Sequence, residues 1–165
     1  MQSQRVVLIS AVLFLSLMST AVAAPADDMK PLAPRMTQQR LEAVIRGLGA
    51  ESDGGGGVLR FIYEGVPLVC VSDSENDRMR IVAPIVAVDQ LEPEQVLIML
   101  AANYHSALDA RYAISEGMAY GVFIHPLSPL TEAEVESAVR QVTNLVKTFG
   151  TTYSSGALLF GGPES

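Results

Sequence analysis

Two histidines and a single cysteine are the soft ligands and strong nucleophile precursors of this chain. His105 and Asp109 stand four apart, a spacing that on a helix puts both on one face as half of a metal site. No third ligand lies near them. The plainer reading is a solvated helix end, where a histidine also suits the helix dipole. His125 precedes Pro126 and reads as the polar terminus of a strand. Gly-x-Ser-x-Gly, His-Glu-x-x-His and Cys-x-x-Cys are all absent. The glycine run 54–57 invites a phosphate-loop reading, but that loop needs a Lys-Ser/Thr pair opening a helix, and here the run leads into a strand. It reads as a flexible joint. Asp73, Glu75 and Asp77 crowd three carboxylates into five residues. A calcium loop wants Gly at the sixth position and Glu at the twelfth, where this sequence has Arg78 and Pro84, so a hairpin turn is expected. Cys70, within an apolar run at 68–71, reads as a buried small hydrophobe. The expectation is no enzyme, no cofactor and no metal.

The elements that would position these residues follow from periodicity. After Thr37, Leu41, Val44, Ile45 and Leu48 form a helical stripe. Three strands come next: Leu59, Phe61 and Tyr63 alternate with polar neighbours, residues 68–71 are apolar on both faces as in a central covered strand, and Met79, Ile81 and Ala83 alternate with Arg78, Arg80 and Val82. Pro84 predicts an edge or a bulge. Connections this short make an antiparallel meander. A helix opens at Glu92-Pro93-Glu94 and runs to about Leu108, apolar nearly all round, which requires cover on more than one side. Two more strands follow, around Tyr112–Ile114 and Met118–Ile124. Thr131 and Glu134 then form a capping box for a last helix. The order α-βββ-α-ββ-α is an α+β fold, an antiparallel sheet with helices packed on it.

With 165 residues, 49% of them hydrophobic, the chain can build one core. A net charge of −7 and a pI near 4.7 exclude a basic phosphate-binding surface, hence nucleic acid. Residues 6–22 carry no charge and end in Ala21-Val22-Ala23, the small-x-small pattern of a cleavable signal peptide, with Pro25, Asp27 and Asp28 just beyond. The divisions expected are a signal at 1–23 cut after Ala23, a flexible arm at 24–36, a domain at 37–160 and a tail at 161–165. The expected location is periplasmic or secreted, with no stable membrane insertion after cleavage. One cysteine allows no intramolecular disulfide there.

The succession resembles the type III secretion chaperones (the Tir-chaperone-like group) and the related YbjN-like domains. The residues that carry the likeness are 61–71, Asp77-Arg78-Met79-Arg80-Ile81, 97–103, 107–114 and the Phe149-Gly150 close of the last helix. The resemblance implies a small acidic homodimer, without nucleotide hydrolysis, that holds a segment of a secreted partner in extended form. Those chaperones are cytoplasmic, whereas this chain opens with an export signal, so the fold carries over and the client does not. The function expected is a protein- or peptide-binding homodimer. The alternatives are an accessory domain of the same fold without a client and, more remotely, an enzyme with an unfamiliar site. The all-round apolar middle helix points independently to a second copy. Val96, Met99 and Asn103 are expected on the face turned away from the sheet. Arg78 and Arg80, spaced by two on one strand face, are candidates for ion pairs across the sheet or for a partner contact.

Overall fold

Two threonine caps start the helices that cover the sheet. Thr37 Oγ1 accepts from Arg40 N at 3.2 Å to open α1 (Gln38–Gly47). Thr131 and Glu134 bond reciprocally to open α3 (Glu132–Thr148), the capping box expected. Each helix carries one apolar stripe, Leu41 and Ile45 on α1 and Val135 to Leu145 on α3, and both stripes are fully buried. The computed structural model describes residues 34–48 and 51–158. The expected signal segment and the expected 161–165 tail lie outside them, as does most of the expected 24–36 arm.

The sheet has six antiparallel strands in the order β1-β2-β3-β4-β6-β5. They are β1 (Ser52–Gly55), β2 (Val58–Tyr63), β3 (Val66–Asp73), β4 (Arg78–Ala87), β5 (Arg111–Ser115) and β6 (Met118–Pro126). A 3-10 turn at Val88–Gln90 leads to α2 (Pro93–His105), which starts where expected and ends about three residues before the Leu108 of the sequence reading. The α+β class and element order hold, with one addition: the glycine run is structure rather than a joint. Gly54 and Gly57 adopt φ of 92° and 105°, and a Cβ would stand 2.6 Å from Val58 O and 2.9 Å from Ser72 O respectively. Only glycine fits a hairpin that tight.

Alternation divides each strand cleanly. Leu59, Cys70, Ile81 and Phe123 form one cross-strand row beneath the helices, beside a row of Ala83, Gly121 and Tyr112. Gly121 lets α3 come close, since a Cβ there would lie 3.4 Å from Val142 O. The strand irregularity foreseen at Pro84 is a bulge, with Ile85 unpaired between Pro84 and Val86. Burial pushes the Cys70 thiol up to about 12, with Glu42 adding to the effect. Cys70 is therefore expected to resist a thiol-specific reagent in the native protein and to react stoichiometrically in guanidinium. Rapid native labelling would contradict its place in the core.

The segments flanking α1 and α3 are packed. Met36, at the end of the supposed arm, is buried, and its N–H bonds Ser128 O at 3.1 Å. Beyond α3, Tyr153 is buried edge-on to Tyr112 and Phe149, and Ser155 N donates to Ser106 O at 3.0 Å. Asp77 ties the β3–β4 turn to the β6–α3 loop, its carboxylate accepting from Ser128 N at 2.7 Å and Ser128 Oγ at 2.9 Å. These bonds hold its pKa below the ordinary 3.8. Its contribution to stability is then complete above that value and is lost as pH falls through the lower folded one. In urea melts, Asp77→Asn should be less stable than the parent at pH 7, with the gap closing toward pH 2–3 by linkage. A gap independent of pH would refute the link.

Candidate protein-binding surfaces

Among the described residues, helices cover one face of the sheet and none covers the other. On that open face the row Arg60–Val69–Val82–Val122–Arg111 runs across five strands. A second row, Val58–Val71–Arg80–Ile124, lies beside it. Ile124 is 58% exposed, and Val58, Ile62 and Val71 are exposed as well. The sequence reading of 68–71 as a strand covered on both faces is corrected here: β3 is central in the sheet, but among the described residues no layer overlies its second face. The signal for an open face was present, since Arg60, Arg78 and Arg80 share it with the valines.

Among the described residues Arg60 and Arg80 take part in no ion pair. Arg78 stands opposite Asp73, yet its guanidinium donates to Asp77 O at 3.0 Å, and Asp73 is spent inside its own turn on Glu75 N, Asn76 N and Asn76 Nδ2. The expected ion pairing of Arg78 and Arg80 across the sheet is absent from the described residues. The 73–77 segment is the hairpin turn foreseen.

The second surface is α2. Glu92 and Gln95 form a capping box and Pro93 occupies the first turn, so the start is locally encoded. The face chosen from sequence was the wrong one. Met99 is 3% exposed, Val96 is half-buried, and Asn103 grips β5 through both ends of its amide, donating to Tyr112 O at 3.0 Å and accepting from Tyr112 N at 2.7 Å. These three turn toward the protein's own sheet. Asn103 does so because an amide alone on this helix can satisfy both free groups of an edge-strand residue. The outward stripe is Leu97, Leu100, Ala101 and Tyr104, at i, i+3, i+4 and i+7. Leu97, Leu100 and Tyr104 are 66%, 61% and 77% exposed. Ile114 on β5 is exposed too.

Polar side chains gather at one further place. A cleft of 340 Å³ at the end of β6 is lined by Asp109, Arg111, His125, Glu134, Ser137 and Gln141, among others. Each tie found there is architectural. Gln141 accepts from Asp109 N and Ala110 N, Arg111 donates to Leu108 O and Ala110 O, and Glu134 caps α3, which with His125 nearby holds its pKa low. His105 lies on α2 and Asp109 beyond its end, so the foreseen pair does not share a helix face. Among the described residues no three His, Cys, Asp or Glu are placed to hold a metal, and no helix is long and apolar enough to cross a membrane.

Helices on one face of an antiparallel sheet, a third helix at its β5 edge and a second face that no described helix overlies make up this α+β architecture. Among solved structures, the chain is similar to one in the HopA1–SchA chaperone–effector complex, at 12% identity and a TM-score of 0.51, covering 66% of this chain and 88% of that one. It is similar also to a chain of the ExsC–ExsE complex, at 12% identity and a TM-score of 0.52, covering 69% and 96%. No family model and no curated protein matches the sequence. At this identity the likeness is one of fold, the one implied by the resemblance to the chaperones.

Proposed function

We propose that this protein is an exported, non-enzymatic, chaperone-like domain that acts as a homodimer and holds a protein or peptide client. One observation carries the reading: the bare stripe Leu97, Leu100, Ala101 and Tyr104 on an otherwise docked helix. Leaving three large apolar side chains in water forgoes on the order of 1.5–3 kcal/mol each. A two-fold axis beside α2 lets the same stripe cover itself, the commonest arrangement in homo-oligomers. The likeness to chains from chaperone–effector complexes supports the client-holding part. Export rests on the apolar segment 6–22 and its Ala21-Val22-Ala23 ending.

The test is expression in a bacterium with a periplasm. The recovered chain is expected to lack residues 1–23 by intact mass and to scatter light as a dimer over a wide concentration range. A full-length chain in the membrane fraction refutes cleavage, and a full-length chain in the cytoplasmic fraction refutes export. A monomer at every concentration refutes pairing.

A further inference from the structure

We infer that the cleft at the end of β6 is a binding site for a free basic amino acid of the lysine or arginine type. The inference goes beyond the chaperone-like reading, and the site shares no residue with the outward stripe of α2. The cleft measures 340 Å³, at the small end of the roughly 300–1,000 Å³ range of small-molecule sites. Several elements converge on it. The loop into β5 brings Asp109, β5 opens with Arg111, the end of β6 brings His125, and the first half of α3 brings Glu134 and Ser137. The buried side chains of Phe123 and Leu130 add apolar wall.

The architectural bonds leave part of each polar group unspent. Glu134 uses Oε2 on Thr131, Asp109 uses Oδ2 on Gln141, and Arg111 uses Nη1 on two carbonyls. Among the described residues Glu134 Oε1, Asp109 Oδ1 and Arg111 Nε and Nη2 have no hydrogen bond, and none of the three residues joins an ion pair. His125 Nδ1 lies 2.8 Å from Pro126 O, which can only accept, so in the neutral ring that nitrogen carries the proton and Nε2 accepts. The ring stacks on Phe123 at 12°, which fixes its orientation. Ser137 Oγ accepts from Gln141 Nε2 and keeps its own hydrogen to donate.

Charge then selects the ligand. The Thr131 N–H and hydroxyl hold the Glu134 pKa below the ordinary 4.5, His125 adds to that and Asp109 opposes it, so the two carboxylates feel one another. With Arg111 counted, the cleft carries two anionic groups and one cationic group. Its complement has two cations and one anion, which is the charge pattern of lysine or arginine in free form. The ligand's cations meet Asp109 and Glu134, with His125 Nε2 as a further acceptor, and its carboxylate meets Arg111 and the Ser137 hydroxyl. A diamine would leave Arg111 without a counter-charge, and a neutral amino acid would leave one carboxylate without one. The last residue of a peptide has an uncharged amide in place of the α-ammonium and fails in the same way.

Isothermal titration calorimetry on the full mature chain should show L-lysine and L-arginine binding with a Kd below about 1 mM, as suits ligands of so few atoms. Three probes each lack one charge of lysine: cadaverine the carboxylate, norleucine the side-chain cation, and Nα-acetyl-lysine the α-ammonium. Each should bind at least about tenfold more weakly than lysine. Glu134→Gln keeps a residue that the capping box accepts, and should erase most of the advantage of lysine over norleucine. Arg111→Gln should do the same to its advantage over cadaverine. Glu136→Gln, on the same helix but outside the cleft, should change neither. No heat from lysine or arginine at about 10 mM, cadaverine or norleucine bound as tightly as lysine, or an equal loss from E136Q overturns the site. Nα-acetyl-lysine bound as tightly as lysine overturns the free amino acid in favour of a peptide end. The probe series uses the parent chain, so it decides the matter even if a variant loses stability.

Discussion

Leu100→Glu is expected to yield a folded monomer at concentrations where the proposed pairing makes the parent a dimer. Leu100 is central in the outward stripe of α2, with Leu97 one turn before it and Tyr104 one turn after. In a two-fold interface one substitution acts twice. Each copy loses the burial of a leucine, about 1.5–3 kcal/mol, and adds a carboxylate that must be desolvated or expelled beside its own symmetry mate. A combined loss above about 4 kcal/mol raises the dimer dissociation constant by roughly a thousandfold. The fold should survive, because Leu100 makes little contact with its own core. Light scattering reports the mass, and an unchanged far-ultraviolet circular dichroism spectrum reports the fold. A stable L100E dimer would move the interface away from this helix.

The second large effect is on stability. Gln141 is buried on α3, where its Oε1 accepts from Asp109 N at 2.9 Å and Ala110 N at 3.1 Å, while Nε2 donates to Asp109 Oδ2 at 3.0 Å and Ser137 Oγ at 3.2 Å. One side chain thereby anchors the loop that carries the chain from α2 into β5. Gln141→Ala removes the acceptor of two backbone N–H groups, one of them buried, and opens a void. The cost should be about 3 kcal/mol, or a Tm lower by roughly 10 °C. Gln141→Leu restores volume without the bonds and should recover little. If the leucine variant melts with the parent, filling space rather than hydrogen bonding is what the position requires.

The residues that were legible in advance are those whose message is local. Thr131 and Glu134 name their helix end within one turn, and the α3 stripe follows from spacing alone. Pro84 announced an interrupted ladder. Residues 54–57 were misread because glycine signals a hinge and a positive-φ hairpin with the same letter, and the contacts that decide are Val58 O across the same hairpin and Ser72 O from the neighbouring strand β3. The α2 face was inverted for a related reason. A helix apolar on all sides carries no moment to orient it, so periodicity could not tell which way Asn103 points. Its partners are the backbone C=O and N–H of Tyr112 on β5, nine residues further along and invisible to periodicity. The open face escaped notice because a β-branched strand reads the same whether its second side meets another layer or water.

The occupied rims carry a consequence of their own. A sheet that ends in naked backbone can template the next molecule, and repetition of that step grows filaments. Here an amide from α2 and a guanidinium from α1 already sit where an incoming copy would have to zip on. Removing either, as in Asn103→Ala, should leave a protein that seeds threads on storage when the parent stays clear, so this small domain can be crowded without becoming its own polymer.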